Sequence, residues 1–452
     1  MISGVRLLLV NPPTAVNYLA KLPPAGLAYI AAYARENGVE VDILDAGNLG
    51  LSQEETVSRA VNYAPDVLGI SVVSGTHEAS VRFGKALKEK LPDLAFVLGG
   101  PHVHFMYEEM MKEHDWIDFC ARGEGEETTL ELVRALESGS DPHSVKGLAY
   151  RDADGVKLSP ERGFIKDLDA LPLPARDLLP MDVYSWYLYG LTQSKALVVT
   201  ITATRGCPFH CHFCASSYLW RVQRRRSVEN VLDEIEHCLS NYDVDILLFP
   251  DDLLLLKEDW AIELCKGMIE RGYSDYTWAC TGRPGGVSAK TLDWLKRAKC
   301  NLVMYGLEFG NQRLLDFSSK QTTIAEIKET IAETQKRGIL TKGFFMIGYP
   351  TETRETIEDT INLARSLKLD FADFNLPKAL PGSPLYDYCV ERDLLMDTSD
   401  EAFTDVSAQM VRLESLTRDE LQALYKKALR RTRYSLGSRI RKFRRRIGQK
   451  RS

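Results

Sequence analysis

The chain has 452 residues, a length that fits about three domains of ordinary size. Its content of 44% hydrophobic and 27% charged residues is that of a globular protein and excludes disordered, collagen-like and coiled-coil chains. The net charge of −6 is uneven, because residues 430–452 carry 11 Lys and Arg and no acid, while the remainder carries −17. No apolar run reaches the roughly 18 residues of a membrane span, and the first residues lack the features of a signal peptide. We therefore expect a cytoplasmic protein.

The first 125 residues alternate strand and helix patterns. Strands are predicted at 5–10, 39–46, 66–75, 95–100 and within 116–126, and helices at 23–38 and 78–90. Strands separated by helices predict a parallel, doubly wound sheet, in which ligands bind at the carboxyl ends of the strands. Those ends carry Asn11-Pro12-Pro13, Ser74-Gly75-Thr76 and Gly99-Gly100-Pro101-His102. Glycine there permits close approach of a ligand, although turn chemistry alone would also explain it.

The second half repeats the strand and helix alternation after a connector. Asp154-Gly155 predicts a hairpin turn, and a Pro-rich stretch follows it. Six strands, at 197–206, 245–252, 276–283, 302–310, 343–350 and 371–378, predict a partial or full α/β barrel. A helix over 414–433 precedes the basic tail. The predicted domains are an amino-terminal sheet domain (1–140), a connector (141–192), a barrel (193–392) and a helical carboxyl-terminal region (393–452).

Three of the nine cysteines form a cluster in the sequence. Cys207, Cys211 and Cys214 lie within eight residues, directly after a predicted strand. Three thiolates on one loop suit zinc or an iron–sulfur cluster, and a cubane with only three local cysteines keeps one iron open. A zinc site completed by His210 or His212 is disfavoured, because zinc ligands usually come from two separate pairs. The other six cysteines are scattered singly, which is typical of small core residues.

This loop resembles the CxxxCxxC loop of the radical S-adenosylmethionine (SAM) enzymes. In that family the aromatic residue before the third cysteine packs near the SAM adenine, a position that Phe213 occupies here. Pro250-Asp251-Asp252 ends the next strand, where many members place a segment that meets the SAM amino group.

Two later strands extend the resemblance over about residues 195–390. Glu308 lies in a GLEFG segment similar to the family's GxExG strand, whose acid often contacts the SAM ribose. Gly348 lies in GFFMIGYP, which resembles the GxIxGxP-type strand that backs the adenine. The resemblance implies a 4Fe–4S cluster bound by the three cysteines, SAM chelated to its open iron, and a (β/α)6-type partial barrel.

The amino-terminal domain resembles the cobalamin-binding domain that precedes the radical SAM barrel in one branch of the superfamily, which includes the anaerobic Mg-protoporphyrin monomethyl ester cyclase type. The matching segments are NPP, the helix over 23–38, GGPH and ARGEGE. The implied cobalamin pocket contains Asn11, Pro12, Ser71, Ser74, Gly75, Thr76, Gly99, Gly100 and His102. The cobalt-ligating DxHxxG motif of other cobalamin domains is absent, so His77, His102 and His104 are interpreted as pocket lining rather than cobalt ligands. A flavodoxin-like domain with flavin or no ligand is the alternative.

Cobalamin and SAM together imply methylation of an unactivated carbon. One SAM methylates cobalt, a second yields the 5′-deoxyadenosyl radical that abstracts hydrogen, and the substrate radical takes the methyl group. The alternative keeps these cofactors but ends in cyclisation, ring contraction or C–C bond formation on a lipid, tetrapyrrole or natural-product substrate. A cobalamin-binding regulator is disfavoured because the cysteines and the SAM strand motifs are all present. No catalytic side chain is predicted.

Several further residues carry weaker predictions. Tyr184, Trp186, Tyr187 and Tyr189 are interpreted as packing between domains rather than as a substrate entrance. Arg283 and Tyr305, on predicted barrel strands, are candidates to face the cavity.

The expected partners are a small-molecule or lipid substrate and an external one-electron reductant of flavodoxin or ferredoxin type. If the basic tail is helical, Ile440, Phe443 and Ile447 form one apolar stripe among arginines. This pattern favours peripheral binding at the inner face of an anionic membrane over binding of nucleic acid, and a frayed, solvated tail is the alternative.

Overall fold

The computed structural model describes residues 4–14, 20–186 and 196–432 of the chain. The chain forms two compact units. The first comprises Met1–Tyr184 with Ser399–Glu401, and the second comprises Ser185–Thr398 with Ala402–Ser452. The narrower domain limits given above stay a prediction. Tyr187, Tyr189 and residues 433–452, which include most of the basic tail, lie outside the described residues.

The first unit is built on a seven-stranded sheet. The sheet contains β1 (Arg6–Asn11), β3 (Glu40–Asp45), β4 (Val67–Ser71), β5 (Ala95–Gly99), β6 (Phe119–Ala121), β7 (Leu148–Asp152) and β8 (Gly155–Leu158). The short strand β2 (Ala20–Lys21) belongs to this unit but not to this sheet. Its helices are α1 (Ala25–Glu36), α2 (Ala46–Leu49), α3 (Gln53–Tyr63), α4 (His77–Lys88), α5 (Pro101–Glu113) and α6 (Gly125–Ser138).

The strand order of this sheet is β3-β1-β4-β5-β6-β7-β8. The first five of these strands are parallel, and β7 and β8 continue the sheet as an antiparallel hairpin. The second parallel strand in the chain, β3, lies at the edge of the sheet next to β1, and the later strands continue on the other side of β1. This is the doubly wound, flavodoxin-like order. The predicted doubly wound sheet and the hairpin turn before Gly155 are therefore confirmed.

Both faces of the central strands are buried, which explains their continuous apolar runs. The side chains of Leu8 and Val10 in β1 join a core cluster with Phe83 of α4 and Phe96 of β5. The helix α1 begins after two prolines and ends before Gly38, whose φ of 83° stops it. These signals explain why the sequence predicted this helix within two residues of its ends.

The second unit contains the remaining elements. Its strands are β9 (Ser185–Trp186), β10 (Val198–Thr200), β11 (Thr204–Arg205), β12 (Arg224–Arg225), β13 (Ile246–Leu248), β14 (Thr277–Gly282), β15 (Leu302–Glu308), β16 (Leu340–Met346) and β17 (Phe371–Asn375). The helices are α7 (Ser216–Leu219), α8 (Val228–Asn241), α9 (Glu258–Glu270), α10 (Ala289–Arg297), α11 (Gln312–Phe317), α12 (Ile324–Lys336), α13 (Arg354–Ser366), α14 (Pro384–Glu391), α15 (Asp400–Thr404) and α16 (Arg418–Thr432). The first two residues of α15 belong to the first unit.

Six parallel strands form the main sheet of this unit, in the order β10-β13-β14-β15-β16-β17. The strands follow one another in the sheet in their chain order, with β11 and β12 inserted between β10 and β13 and at least one helix between each successive pair. Because the strands are parallel, the carboxyl ends of all six meet at one edge. Among the described residues no ladder joins β10 to β17, which makes the sheet a partial barrel as predicted. The strand β16 starts three residues before its predicted segment and ends at Met346, because Leu340 and Thr341 pair with β15.

The carboxyl-terminal helix α16 packs on α13 and β17 of the same unit. The hydroxyl of Tyr425 in α16 donates a hydrogen bond to the main-chain oxygen of Phe374, 3.1 Å away. Within the described part of the chain, no helix combines the length and the apolar composition that crossing a bilayer requires.

Candidate functional site

The cysteine loop follows β11 at the carboxyl edge of the second unit's sheet. Thr204 and Arg205 of β11 pair antiparallel with Arg225 and Arg224 of β12. Gly206 then turns the chain into the loop with φ of 94°, where a Cβ would collide with the main-chain oxygens of residues 220 and 222. Glycine is therefore required at the entrance of the loop.

All three thiols of the loop are shielded from water. Cys211 is buried, and Cys207 and Cys214 are half-buried. Burial raises the pKa of the Cys207 thiol and raises that of Cys214 to about 11, although backbone N–H groups favour both thiolates. Bound metal would compensate this cost, since metal coordination deprotonates thiols.

The three thiols of this loop are suitable ligands for an iron–sulfur cluster. Among the described residues no group of three His, Cys, Asp or Glu side chains is placed to hold one metal ion. In a cubane each thiolate binds its own iron, so the three sulfurs need not converge on one point. His212, a candidate fourth zinc ligand, has its Nε2 2.8 Å from the Ser319 hydroxyl, and the ring of His210 lies against that of Tyr218.

A second loop, residues 318–321, contacts the cysteine loop, and we call it the brace loop. The main-chain oxygen of Ser318 accepts a hydrogen bond from the N–H of His212, 2.9 Å away. Ser319 and Gln321 have φ of 53° and 50°, left-handed conformations that cost free energy in residues other than glycine. No motif in the sequence marked this loop.

Lys320 of the brace loop forms a buried ion pair with Glu308. Glu308 ends β15 with φ of 57°, and its Oε1 lies 2.7 Å from Lys320 Nζ. The ammonium also lies 5.7 Å from the ring centre of Phe213. A Cβ on Gly306 would lie 2.5 Å from Glu308 Oε1, so the first glycine of the GxExG segment makes room for this pair. Sequence reasoning selected Glu308 and Phe213 but missed Lys320.

The two adjacent acids after β13 have different environments. Asp251 is 4% exposed, and its Oδ1 accepts hydrogen bonds from the N–H and the hydroxyl of Thr204. Its Oδ2 is buried without a hydrogen-bond partner among the described residues, and burial raises the pKa of this carboxyl to about 7. Asp252 is exposed and accepts a hydrogen bond from the Ser216 hydroxyl at 2.6 Å. A buried carboxylate oxygen without a partner is suited to a cationic group.

Gly348 follows β16 in a turn that a buried acid holds. Gly348 has φ of 100°, and its N–H donates to Glu352 Oε2 at 2.6 Å, as does the N–H of Tyr349 at 2.9 Å. Burial raises the pKa of the Glu352 carboxyl to about 8. Glu352 was not predicted as a site residue, although it lies four residues after the selected glycine.

Arg283 and Tyr305, the two candidates for the barrel interior, differ in position. Arg283 directly follows β14 at the carboxyl edge, and its Cζ lies 3.8 Å from the ring centre of Phe209 in the cysteine loop. The hydroxyl of Tyr305 lies 2.8 Å from that of Thr334 in α12, so this side chain faces the surrounding helix instead.

At the carboxyl edge of the first unit, the backbone approaches closely around Gly99 and Gly100. The oxygen of Gly99 accepts from Val72 N at 2.8 Å, and the oxygen of Val72 accepts from His102 N at 3.2 Å. Gly100 has φ of 101°, and a Cβ there would lie 2.6 Å from the Val72 oxygen. Ser71 ends β4 beside this crossing and is half-buried.

Asn11 and Pro12 lie at the end of β1 next to a buried acid. The Asn11 amide donates to Asp45 Oδ1 at 2.7 Å, and the Tyr184 hydroxyl donates to Asp45 Oδ2 at 2.6 Å. Pro12 is buried. Tyr184, predicted to pack between domains, is thus buried within the first unit.

Two stacked histidines lie beside the turn formed by Ser74, Gly75 and Thr76, of which the last two are buried. The rings of His77 and His102 are 4.9 Å apart. Asp400 pairs with His77 at 2.9 Å, and His102 Nδ1 lies 3.2 Å from the Ser74 hydroxyl.

These two histidines differ in basicity. Burial alone would lower the pKa of His77, but Asp400 and the Ser74 oxygen together raise it. Burial, and then the charge of His77, lower the pKa of His102 to about 4. His102 is therefore neutral beside a more basic His77, and His104 lies further along α5 with its ring against Phe105.

The chain is similar to known proteins along nearly its whole length. The family described as B12 binding domain matches residues 13–133, and the radical SAM superfamily matches residues 201–364. An uncharacterized methyltransferase of Pyrococcus horikoshii is 33% identical over 433 residues, 94% of this chain and 91% of that protein. The anaerobic magnesium-protoporphyrin IX monomethyl ester cyclase of Rubrivivax gelatinosus is 33% identical over 371 residues, 80% of this chain and 66% of that protein.

Among solved structures, a radical S-adenosylmethionine methyltransferase, TsrM from Kitasatospora setae with cobalamin and a 4Fe–4S cluster bound, has a similar fold. The TM-score is 0.73 at 18% identity, over 95% of this chain and 88% of that chain.

Proposed function

This chain belongs to the family of radical SAM enzymes that carry an amino-terminal B12-binding domain, and from that premise we propose that it methylates an unactivated carbon of a small-molecule substrate. Its cofactors are a 4Fe–4S cluster, SAM and cobalamin. The observation that carries the proposal is that both domains lie in one chain, which matches a methyltransferase over 94% of its length.

The residues at the carboxyl edge of the second unit fit the first two cofactors. Cys207, Cys211 and Cys214 hold the cluster in a loop that shields their sulfurs. The Oδ2 atom of Asp251 accepts a hydrogen bond from the SAM amino group. Because this oxygen has no other partner among the described residues, the new hydrogen bond displaces no existing one. Asp252, exposed and bonded to Ser216, supports the loop from outside.

Four further residues of this edge position SAM. Glu308 accepts hydrogen bonds from the ribose, and Lys320, held against Glu308, attracts the carboxylate. Phe213 packs against the adenine. The turn at Gly348 supports the end of β16 behind the adenine.

The carboxyl edge of the first unit holds cobalamin through backbone shape and neutral groups. Gly99 and Gly100 allow close approach, and Ser71, Ser74, Gly75, Thr76 and His102 line the same edge. Asn11 and Pro12 act from the end of β1, where Asp45 fixes the Asn11 amide. When bound, the cofactors supply a carbon-centred radical for hydrogen abstraction and a transferable methyl group.

Non-methylating radical chemistry is the second candidate. The magnesium-protoporphyrin cyclase is as similar in identity as the methyltransferase relative, although this chain spans only 66% of it. A cyclisation or other C–C bond formation on a tetrapyrrole or lipid would use the same residues.

Product analysis separates the two candidates. The protein, purified anaerobically with cobalamin supplied, is expected to contain four irons and one cobalt per chain. It is then incubated with reductant, methyl-labelled SAM and a small-molecule extract. Formation of S-adenosylhomocysteine together with 5′-deoxyadenosine and a labelled product supports methyl transfer. Deoxyadenosine without S-adenosylhomocysteine contradicts it and favours the cyclase-like reaction.

Two partners complete the proposal. We propose that a flavodoxin- or ferredoxin-type donor supplies single electrons to the cluster. The test is whether such a donor reduces the cluster under anaerobic conditions.

We also propose that the basic tail binds an anionic membrane surface. Deleting residues 433–452 leaves α16 intact and should abolish co-sedimentation with phosphatidylglycerol vesicles. Equal pelleting of both forms contradicts the membrane proposal.

A further inference from the structure

Arg283 is a buried cation at the carboxyl edge of the second unit's sheet. Its side chain is 7% exposed, and its guanidinium stacks 3.8 Å over the ring of Phe209, which lies between the first two cluster cysteines. Its Nη2 donates to the main-chain oxygen of Gln321 in the brace loop at 3.3 Å. Two loops of this edge therefore fix the guanidinium in place.

This guanidinium forms no ion pair with any residue in the described parts of the chain. Glu326 lies near enough for the charge of Arg283 to lower the pKa of the Glu326 carboxyl, but the two side chains form no ion pair. Instead, Glu326 Oε2 accepts hydrogen bonds from Thr323 N at 2.7 Å and from the Thr323 hydroxyl at 2.9 Å. A guanidinium has five N–H donors, and a buried one without a counter-charge is costly.

Arg226 shows how a balanced buried arginine looks in the same unit. It is 4% exposed, pairs with the buried carboxylate of Glu234, and donates further hydrogen bonds to Asn230 and to the Thr202 oxygen. Arg283, equally buried, has one main-chain acceptor and an aromatic ring. The difference is that, among the described residues, no carboxylate forms an ion pair with Arg283 next to the cysteine loop.

A negatively charged group belongs at this place. A cubane core held by three thiolates carries one net negative charge when oxidised and two after one-electron reduction. Phe209, on which the guanidinium stacks, lies two residues after Cys207, so the positive charge is in direct contact with the cysteine loop. Net charge and nearby donors are among the factors that set the reduction potential of such clusters.

We propose that Arg283 is the charge partner of the 4Fe–4S cluster and raises its reduction potential. This inference rests on the proposed function, because it requires the cluster. The electron comes from the external one-electron donor and stays on the cluster, where the added negative charge strengthens the attraction to the guanidinium. Arg283 is thus a positioning residue for electron transfer and binds no substrate.

The test is a redox titration of the cluster, followed by electron paramagnetic resonance, on the full chain without SAM. Arg283→Gln should retain four irons and have a more negative midpoint potential, with at least a tenfold fall in the equilibrium constant for reduction, about 59 mV. Arg283→Lys keeps the charge and should remain closer to the wild type. Arg337→Gln is the matched control, because Arg337 lies at the carboxyl end of α12 and is paired with Asp293 and Glu333.

The outcomes separate this inference from the proposed function. A wild-type chain without four irons contradicts the proposed function itself. Four irons and an unchanged potential in Arg283→Gln overturn the inference and leave the function standing. If the potential is unchanged while SAM affinity falls, the missing anion is the SAM carboxylate and the inference is wrong. If Arg283→Gln loses iron, retention of four irons by Arg283→Lys supports the charge role, and equal loss in both variants overturns it.

Discussion

The carboxyl edges of the two sheets are built from different chemistry. In the first unit the charges near the edge are partnered, as Asp45 is by Asn11 and Asp400 is by His77. Close backbone crossings around Gly100 form the surface there. In the second unit the edge carries buried charge that the described chain leaves partly unbalanced, at Asp251 and Arg283.

The two edges therefore suit ligands of different kinds. A neutral edge with glycine at the crossings recognises a large cofactor by shape, because removal of a Cβ opens space without adding charge. An edge with unbalanced buried charge recognises a charged ligand, because the ligand supplies the missing partner. Substitutions at the two edges are therefore expected to weaken ligand binding for different reasons. At the first edge the cause is steric, and at the second it is electrostatic.

The largest expected effect is loss of the cluster. Changing Cys207, Cys211 or Cys214 to Ala removes one of three iron ligands, so iron should fall from four per chain to near zero and 5′-deoxyadenosine formation should stop. Iron analysis and product chromatography measure both effects. Cys238→Ala is the control, because Cys238 is a buried core cysteine of α8. Retention of four irons by any of the three variants contradicts the assignment.

The next effect tests the steric edge. Gly100→Ala places a Cβ 2.6 Å from the Val72 oxygen and forces alanine into a left-handed conformation. Bound cobalt should fall at least tenfold while iron is unchanged, and the apparent melting temperature should fall. Gly139→Ala shares the positive φ but meets nothing within 4 Å, so it should cost only about 1 kcal/mol and keep cobalt. Equal cobalt content in both variants would contradict the role of close backbone approach.

The electrostatic edge is tested by the two adjacent acids. Asp251→Asn should weaken SAM binding by about tenfold or more, the effect of one charged hydrogen bond, whereas Asp252→Asn should change it little. In the wild type, SAM affinity should rise as the pH rises through about 7, because the Asp251 carboxyl ionises there and the ionised form attracts the amino group. Equilibrium dialysis across this pH range measures both. A pH dependence that survives in Asp251→Asn contradicts the assignment.

The smallest expected effect concerns the turn at Gly348. The pKa of Glu352 is about 8 in the folded chain, above its unfolded value, so the folded state holds the extra proton. Stability should therefore fall as pH rises from about 5 through 8. Glu352→Gln keeps the acceptor but cannot ionise, so the apparent melting temperature of the variant should depend less on pH than that of the wild type. Parallel curves for the two proteins would contradict this account.

Much of both edges was predictable because it depends on short segments. The strand ends at Asn11, Ser71 and Gly99 follow from apolar runs stopped by turn residues, and parallel strands bring such ends together. The cysteine loop follows from its spacing and its place after a strand. Neither required knowledge of the rest of the chain.

Residues far apart in sequence decided the remainder. Asp400 lies more than 300 residues from the N–H groups of residues 78 and 79 that it accepts from, and no local pattern connects them. The brace loop contains no recognisable motif, yet it contacts His212, Phe213, Glu308 and Arg283. Lys320 and Arg283 acquired their roles only through these contacts.

Hydrophobic periodicity and cysteine spacing are local properties, so the two sheets, their order and the candidate cluster cysteines could be predicted from the sequence. The difference between the two acids after β13 arises from the tertiary structure. Asp251 and Asp252 are adjacent and chemically identical, but Asp251 packs against Thr204, whereas Asp252 lies in the turn that follows. One carboxyl is buried with an unpartnered oxygen and the other is exposed, and burial, which sets charge and pKa, is a property of the folded chain alone.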